Sequence, residues 1–245
     1  AARGAPPGQD SGARAAPPHC AGSHARRRST IFVGSNDGMM HAMDDRTGYE
    51  VWAFIPYNLL PKLKTLIDGQ AVDQFDYFVD SSPKVAEVNV AVGWPSLLPF
   101  GEGPGGIFYQ ALDVTEAGMG VDPTLDDIGA VSSMLALYDT PNESIVFKWA
   151  FPNYSSFDPN YFNTFTLADG SPGGKLRLYG DLKATATYVE KTVGFTWSDP
   201  AVGPLDTARA QTAVISGSGY FPDIETLIPN RGASAPKAGN ALYVL

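Results

Sequence analysis

Short apolar runs broken by Gly, Pro and Asp dominate this chain, and the clearest is Gly38-Met-Met-His-Ala-Met-Asp-Asp-Arg-Thr-Gly-Tyr-Glu-Val-Trp52. Met39 to Asp44 and Glu50 to Pro56 read as two strands. Asp44, Thr47 and Gly48 read as the turn between them: an Asp side chain accepts a backbone N–H two residues on, and Gly takes a positive φ without steric cost. Trp52 then offers a large flat surface for packing against a neighbouring unit. Across the whole chain the pattern predicts strands at 31–34, 38–44, 50–56, 77–80, 83–90, 106–114, 133–138, 145–151, 175–180, 193–197, 211–216 and 241–245. One segment has helical spacing instead. Asn58–Ile67 is apolar at 59, 60, 63, 66 and 67, with Pro61 in the first turn of a short helix.

The strands repeat in order. Ile107-Phe-Tyr-Gln-Ala-Leu-Asp-Val-Thr115, followed after an insertion by Ile145-Val-Phe-Lys-Trp-Ala-Phe-Pro152, echoes the first hairpin. Ala42 aligns with Ala111, Asp44 with Asp113, and Trp52-Ala-Phe54 with Trp149-Ala-Phe151. Val79-Asp-Ser-Ser-Pro-Lys-Val85 echoes Thr196-Trp-Ser-Asp-Pro-Ala-Val202, which sets Pro83 and Pro200 117 residues apart. Gly101 and Gly217 follow at a spacing of 116. Fixed-order strand repeats with variable insertions suggest propeller blades or another radial β array. The expected class is therefore all-β: a partial β-propeller of four-stranded antiparallel blades, with one short helix and long loops. The end of one blade falls at 31–56, a whole blade at 77–151 and most of another at 193–245. That does not close a ring, so residues 31–245 are expected to be a fragment of a longer chain.

Composition refines this picture. Of 245 residues 44% are hydrophobic and 18% charged, enough for a core, and 26 Gly with 20 Pro suit many short strands and turns. Residues 1–30 contain no Leu, Ile, Val, Met or aromatic residue, so they are expected to form a disordered Ala/Arg/Pro-rich tail. They also lack the apolar stretch of a signal peptide. Residues 1–29 hold five Arg against one Asp, and the remainder carries a net −13 of the overall −9. An acidic body argues against a nucleic-acid partner. No apolar run reaches the length of a membrane-spanning helix. The single cysteine, Cys20, excludes an internal disulfide and CxxC redox chemistry.

With these residues in view, the sequence resembles the C-terminal propeller of the PilC/PilY family of type IV pilus proteins. The match rests on Val33-Gly-Ser-Asn-Asp-Gly-Met-Met-His-Ala-Met-Asp44, Glu50-Val-Trp-Ala-Phe-Ile-Pro56, Phe78-Val-Asp-Ser-Ser-Pro83, Gly105–Thr115 and Gly239-Asn-Ala-Leu-Tyr-Val-Leu245. The resemblance implies a quinoprotein-like propeller at the cell surface or pilus tip. It also implies roles in pilus assembly and adhesion, with pilin or minor pilin subunits and a host or abiotic surface as partners. Ala42, Asp44, Thr47, Gly48 and Trp52 match the tryptophan-docking motif of quinoprotein propellers, and Asp113 and Trp149 repeat it. That motif speaks of fold rather than chemistry. The family often carries a calcium loop of the D-x-D-x-N type, which this chain lacks. Asp122, Asp126 and Asp127, or Asp169-Gly-Ser171 with Asp181, are too sparse for it. In the family that loop tends to follow the strand matched by the last residues here, so the resemblance leaves room for calcium in the rest of the propeller and implies no cofactor in this chain.

Quinoprotein propellers include dehydrogenases, so an enzyme is one alternative; a scaffold for outer-membrane protein assembly is another. Pyrroloquinoline quinone sites of such dehydrogenases use calcium held by Glu and Asn, an Asp base and often a cysteine pair, and no such pair occurs here. His19 and His24 lie in the tail, and His41 reads as a packed or surface-facing strand residue. No nucleophile elbow, zinc-binding helix or P-loop motif occurs. Gly101, Gly103, Gly105 and Gly106 join two strands with no helix after them, so they lack the dipole of a phosphate loop. The expected protein is a non-enzymatic pilus adhesin or assembly factor, with no catalytic, metal or cofactor residues in this chain.

Overall fold

Antiparallel meanders account for nearly all the regular structure in the computed structural model, which describes residues 2–4, 29–67, 77–88, 95–115, 146–157, 182–183, 185–205, 211–219, 239 and 241–245. Sheet one runs β1 (Ala2–Gly4), β2 (Thr30–Gly34), β3 (Met40–Asp44), β4 (Glu50–Phe54). A 3-10 turn at Tyr57–Leu59 leads into α1 (Leu60–Ile67), with Pro61 in its first turn as its spacing predicts. Sheet two runs β5 (Ala86–Glu87), β6 (Ser96–Phe100), β7 (Tyr109–Asp113), β8 (Val146–Phe151). Sheet three runs β9 (Ala201–Pro204), β10 (Thr212–Gly217), β11 (Leu242–Val244). Successive up-and-down sheets in chain order are propeller blades, and these three do not close into a barrel.

The repeat holds residue by residue. Ala42 pairs with Trp52 and Ala111 with Trp149, and in both hairpins the register shifts just after the alanine. Ala86 pairs with Leu97, as Gly203 pairs with Ala213. Pro99 pairs with Ala111, as Ile215 pairs with Val244. Pro83 and Pro200 therefore occupy equivalent places, three residues before Ala86 and Gly203 of these equivalent pairs.

Two apolar clusters join the sheets. Phe32, Met40 and Ala42 of sheet one and Leu59 meet Leu98, Phe100 and Leu112 of sheet two, with Trp52 packed against them. Tyr109 of sheet two and Ile107 and Phe108 before it meet Val193 and Tyr243, with Trp149 packed against them. Phe32, Ala42 and Trp52 form one cross-strand row, and the rings of Phe32 and Trp52 stand 5.6 Å apart across the alanine. A larger residue at 42 would push them apart.

The linking segments approach very closely. A Cβ on Gly34, at the end of β2, would lie 2.4 Å from the carbonyl oxygen of Val79. A Cβ on Gly101, directly after β6, would lie 2.5 Å from that of Thr196. Hydrogen bonds fasten both crossings: Val79 N–H donates to Ser35 O, and Gly103 N–H to Thr196 O, each at 3.2 Å.

The sequence reading misplaces several elements. Tyr77–Asp80 is not a strand; its amides bond across to Ser35 and Glu102 instead of to a ladder. Of the strand expected at 83–90, the described residues up to 88 form one only at Ala86–Glu87. At 193–197 there is no strand, only bridge residues at Phe195 and Thr196, the latter paired with Gly103. Ser96–Phe100 was missed because Pro95 and Pro99 argue against a strand with neighbours on both sides. Pro99 is tolerated because its carbonyl accepts from Lys84, beyond the paired part of β5, so its missing N–H also points there. Ala201–Pro204 was missed for its Gly and Pro, which an edge strand tolerates. The tail is not wholly irregular: Ala2–Gly4 pairs with Thr30–Phe32 and supplies the first strand of sheet one. Ladder bonds come from the backbone, so a segment without large apolar side chains can still form them. The other expected strands, 133–138 and 175–180, lie outside the described residues.

Ala42→Leu should destabilise the protein by about 1–3 kcal/mol through overpacking. Chemical denaturation measures it, and an unchanged midpoint would contradict the role given to the Phe32–Ala42–Trp52 row.

Candidate functional site

Of the residues singled out in the sequence, Ala42, Asp44, Thr47, Gly48 and Trp52 come together in the first hairpin. Asp44 is buried, and its Oδ1 accepts from the amides of Arg46 and Thr47, each at 3.0 Å. Gly48 adopts φ 73°, and its N–H donates to Asp44 O at 2.8 Å. Asp113 makes the corresponding turn with the amide of Thr115 at 3.0 Å, and its Oδ2 meets Lys148 Nζ at 2.9 Å. Partial burial opposes ionisation of Asp113, but Thr115 and Lys148 outweigh it and hold the carboxyl below its usual range. Trp52 and Trp149 are half-buried, each against the cluster toward the following sheet.

His41 lies on β3 between two carboxylates. Its Nδ1 meets Glu50 Oε2 at 2.5 Å and its Nε2 meets Asp37 Oδ2 at 2.9 Å. Burial lowers its proton affinity, but the bonds and charges of Glu50 and Asp37 leave its pKa raised. Neither nitrogen faces a hydroxyl or thiol, so the arrangement suits a proton-holding ion pair. His19, His24 and Cys20 lie outside the described residues, as do Asp122, Asp126, Asp127, Asp169 and Asp181. Among the described residues no cluster of three or more His, Cys, Asp or Glu side chains could hold a metal ion.

The most unusual chemistry is a buried polar knot in the loop from β6 to β7. Glu102 is fully buried. Its Oε2 accepts from Asn58 Nδ2 at 3.0 Å and from the Phe108 amide at 3.4 Å, and its Oε1 from Gln110 Nε2 at 2.8 Å. Tyr154 Oη donates to the far side of the Gln110 amide. Thr196 Oγ1 accepts from Glu102 N at 2.7 Å and donates to Phe108 O at 3.2 Å. Buried Lys62 donates to the carbonyls of Tyr77 and Gly105, with its Nζ 4.5 Å from the Phe78 ring centroid. The knot thus ties α1 and the turn before it, sheet two, and the segment entering sheet three. Removal from water pushes the Glu102 pKa up to about 8, against the pull of Asn58, Phe108 and Lys62. Burial, then the nearby Glu102 charge, also raises the Tyr154 pKa.

The sequence reading did not find this knot. Its one signal was a Glu inside the run Gly101-Glu-Gly-Pro-Gly-Gly106. The glycines turn out to serve contact. A Cβ on Gly105 would lie 1.6 Å from Phe78 O, and one on Gly106 would lie 1.7 Å from Glu102 Oε2. They let backbone close over the carboxyl and shut out water.

A carboxyl whose folded pKa is raised favours the fold most below its unfolded value, and that contribution is lost as pH rises through the folded value. For Glu102 the window runs from 4.5 up to about 8. Glu102→Gln removes this titration and keeps a similar shape. The stability difference between wild type and variant should move in the variant's favour by more than about 1 kcal/mol between pH 5 and pH 8. Denaturant unfolding at both pH values measures it; an equal difference at the two would contradict the assignment.

No family model matches the chain. A type IV pilus biogenesis factor PilY1 homolog from Xylella fastidiosa is 38% identical over 120 residues, covering 47% of this chain and 10% of that protein. Type IV pilus biogenesis factor PilY1 from Pseudomonas aeruginosa strain UCBPP-PA14 is 40% identical over 93 residues, covering 37% of this chain and 8% of that protein. The chain thus matches about a tenth or less of these relatives' length. The crystal structure of the Pseudomonas aeruginosa PilY1 C-terminal domain aligns with a TM-score of 0.44 and 22% identity, over 82% of this chain and 26% of that one. Over 93 to 120 of its residues the chain is therefore a homologue of proteins named type IV pilus biogenesis factor PilY1.

Proposed function

We propose that this chain is a blade-bearing part of a type IV pilus factor that acts at the cell surface or pilus tip, in assembly of the pilus and in adhesion, without turnover of its own. The observation that carries the reading is the identity to pilus biogenesis factors, 38% over 120 residues in one relative. The geometry is in keeping with it. Stacked sheets locked by apolar rows and a buried polar knot make a rigid frame, and loops on such a frame present contact surfaces. Pilin or minor pilin subunits and a host or abiotic surface are the proposed partners. No helix among the described residues is long and apolar enough to cross a membrane.

Deleting the gene in its own organism should lower surface piliation and attachment, and the full-length gene in trans should restore both. Electron microscopy of pili and an attachment assay read the outcome. Unchanged piliation and attachment would overturn the proposal, as would quinone-dependent oxidation of alcohols or sugars by the purified full-length protein.

A further inference from the structure

His41 closes a clasp across sheet one. Its Nδ1 meets Glu50 Oε2 at 2.5 Å, at the start of β4, and its Nε2 meets Asp37 Oδ2 at 2.9 Å, in the turn between β2 and β3. The imidazole is 11% exposed, while the side chains of Asp37 and Glu50 are 43% and 46% exposed. Protons can therefore reach the clasp through its carboxylates without the sheet opening. Across the sheet His41 pairs with Val33 of β2 and Ala53 of β4, which carry no charge. Among the described residues Asp37 and Glu50 are the charged groups that act on it.

A carboxylate accepts hydrogen bonds and donates none, so both arms of the clasp need a proton on each ring nitrogen. Neutral imidazole keeps one N–H, and its other nitrogen then turns a lone pair on a carboxylate oxygen. One arm has to open. The arm to Asp37 is the longer, and it leads into a turn that holds the next elements. Asn36 Oδ1 accepts from the Phe78 amide at 3.0 Å, and Ser35 O from that of Val79 at 3.2 Å. A Cβ on Gly38, at φ 101°, would lie 2.2 Å from Leu63 Cδ2 of α1. Residues 35–38 thus seat both α1 and the segment entering sheet two.

We propose that His41 is a proton-operated latch on this turn: with both ring nitrogens protonated it ties Asp37 to β4 and holds the entry to sheet two in place, and on losing one proton it frees Asp37 and loosens that entry. Burial of the ring opposes protonation, but the bonds and charges of Glu50 and Asp37 outweigh it and raise the pKa above the ordinary 6.5. The stabilisation is fully present below 6.5 and is lost as pH rises through the raised folded value. The latch is shut in mildly acid water and opens toward alkaline pH. It acts on the frame and is independent of the pilus reading.

The test uses the isotope-labelled full chain with His19 and His24 replaced by Gln, so that the remaining imidazole signals belong to His41. Its ring nitrogens should titrate with a midpoint above 6.5. Hydrogen-exchange protection of the Phe78 and Val79 amides, corrected for the intrinsic effect of pH, should fall by at least about threefold across that midpoint. Asp37→Asn keeps an oxygen for the Met39 amide, and its own amide can serve either form of the ring. In that variant the midpoint should drop and the fall in protection should vanish. Glu102 titrates in the same range in both proteins, so the difference between them belongs to the clasp. A midpoint at or below 6.5 would overturn the proposal. So would protection of Phe78 and Val79 that follows pH alike in the two proteins, which would make the clasp a static tie.

Discussion

Sheets one and two each meet the sheet that follows across a glycine over which the connecting backbone passes at contact distance. Gly34 and Gly101 stand at equivalent ends of β2 and β6, and any Cβ there would press into the carbonyl of Val79 or Thr196. The approach fixes where each connector crosses. It sets the height at which Trp52 and Trp149 reach the following cluster. It also brings Thr196 into the knot around Glu102. Side-chain volume and backbone proximity thus act as one constraint.

The Glu102 knot adds a polar constraint to an otherwise apolar interface. A buried carboxyl costs stability unless its hydrogen-bonding capacity is used, and here three donors converge on it while Lys62 supplies charge nearby. Such a group favours one alignment of α1, sheet two and the entry to sheet three over slipped alternatives. That is a structural role, and it matches a protein whose proposed work is to hold surfaces in place.

Much of this was legible in the sequence where side chains decide. The Asp–x–x–Thr–Gly turn at 44–48, the recurrence of Ala42 and Trp52 as Ala111 and Trp149, and a short helix within 58–67 all follow from residue type and spacing. The strands that escaped notice, Ser96–Phe100 and Ala201–Pro204, contain proline, whose missing N–H argues against a strand paired on both sides. Ala2–Gly4 escaped because pairing along β2 draws on backbone groups common to every residue. Glu102 could not be read because its burial depends on segments 44 and 94 residues away in the chain, at Asn58 and Thr196. Its glycine neighbours read only as a linker between strands, yet they are small so that the carboxyl can be enclosed.

The most direct test is the unfolding free energy of Gly34→Ala and Gly101→Ala in the full chain. Neither glycine has a positive φ. Without the close approach, Ala at such positions would stabilise the fold by about 0.4–1 kcal/mol by restricting the unfolded chain. The account predicts the opposite sign, a loss of about 1–3 kcal/mol at each position as backbone is forced apart. A gain in stability at both would show that the sheets do not meet across these glycines.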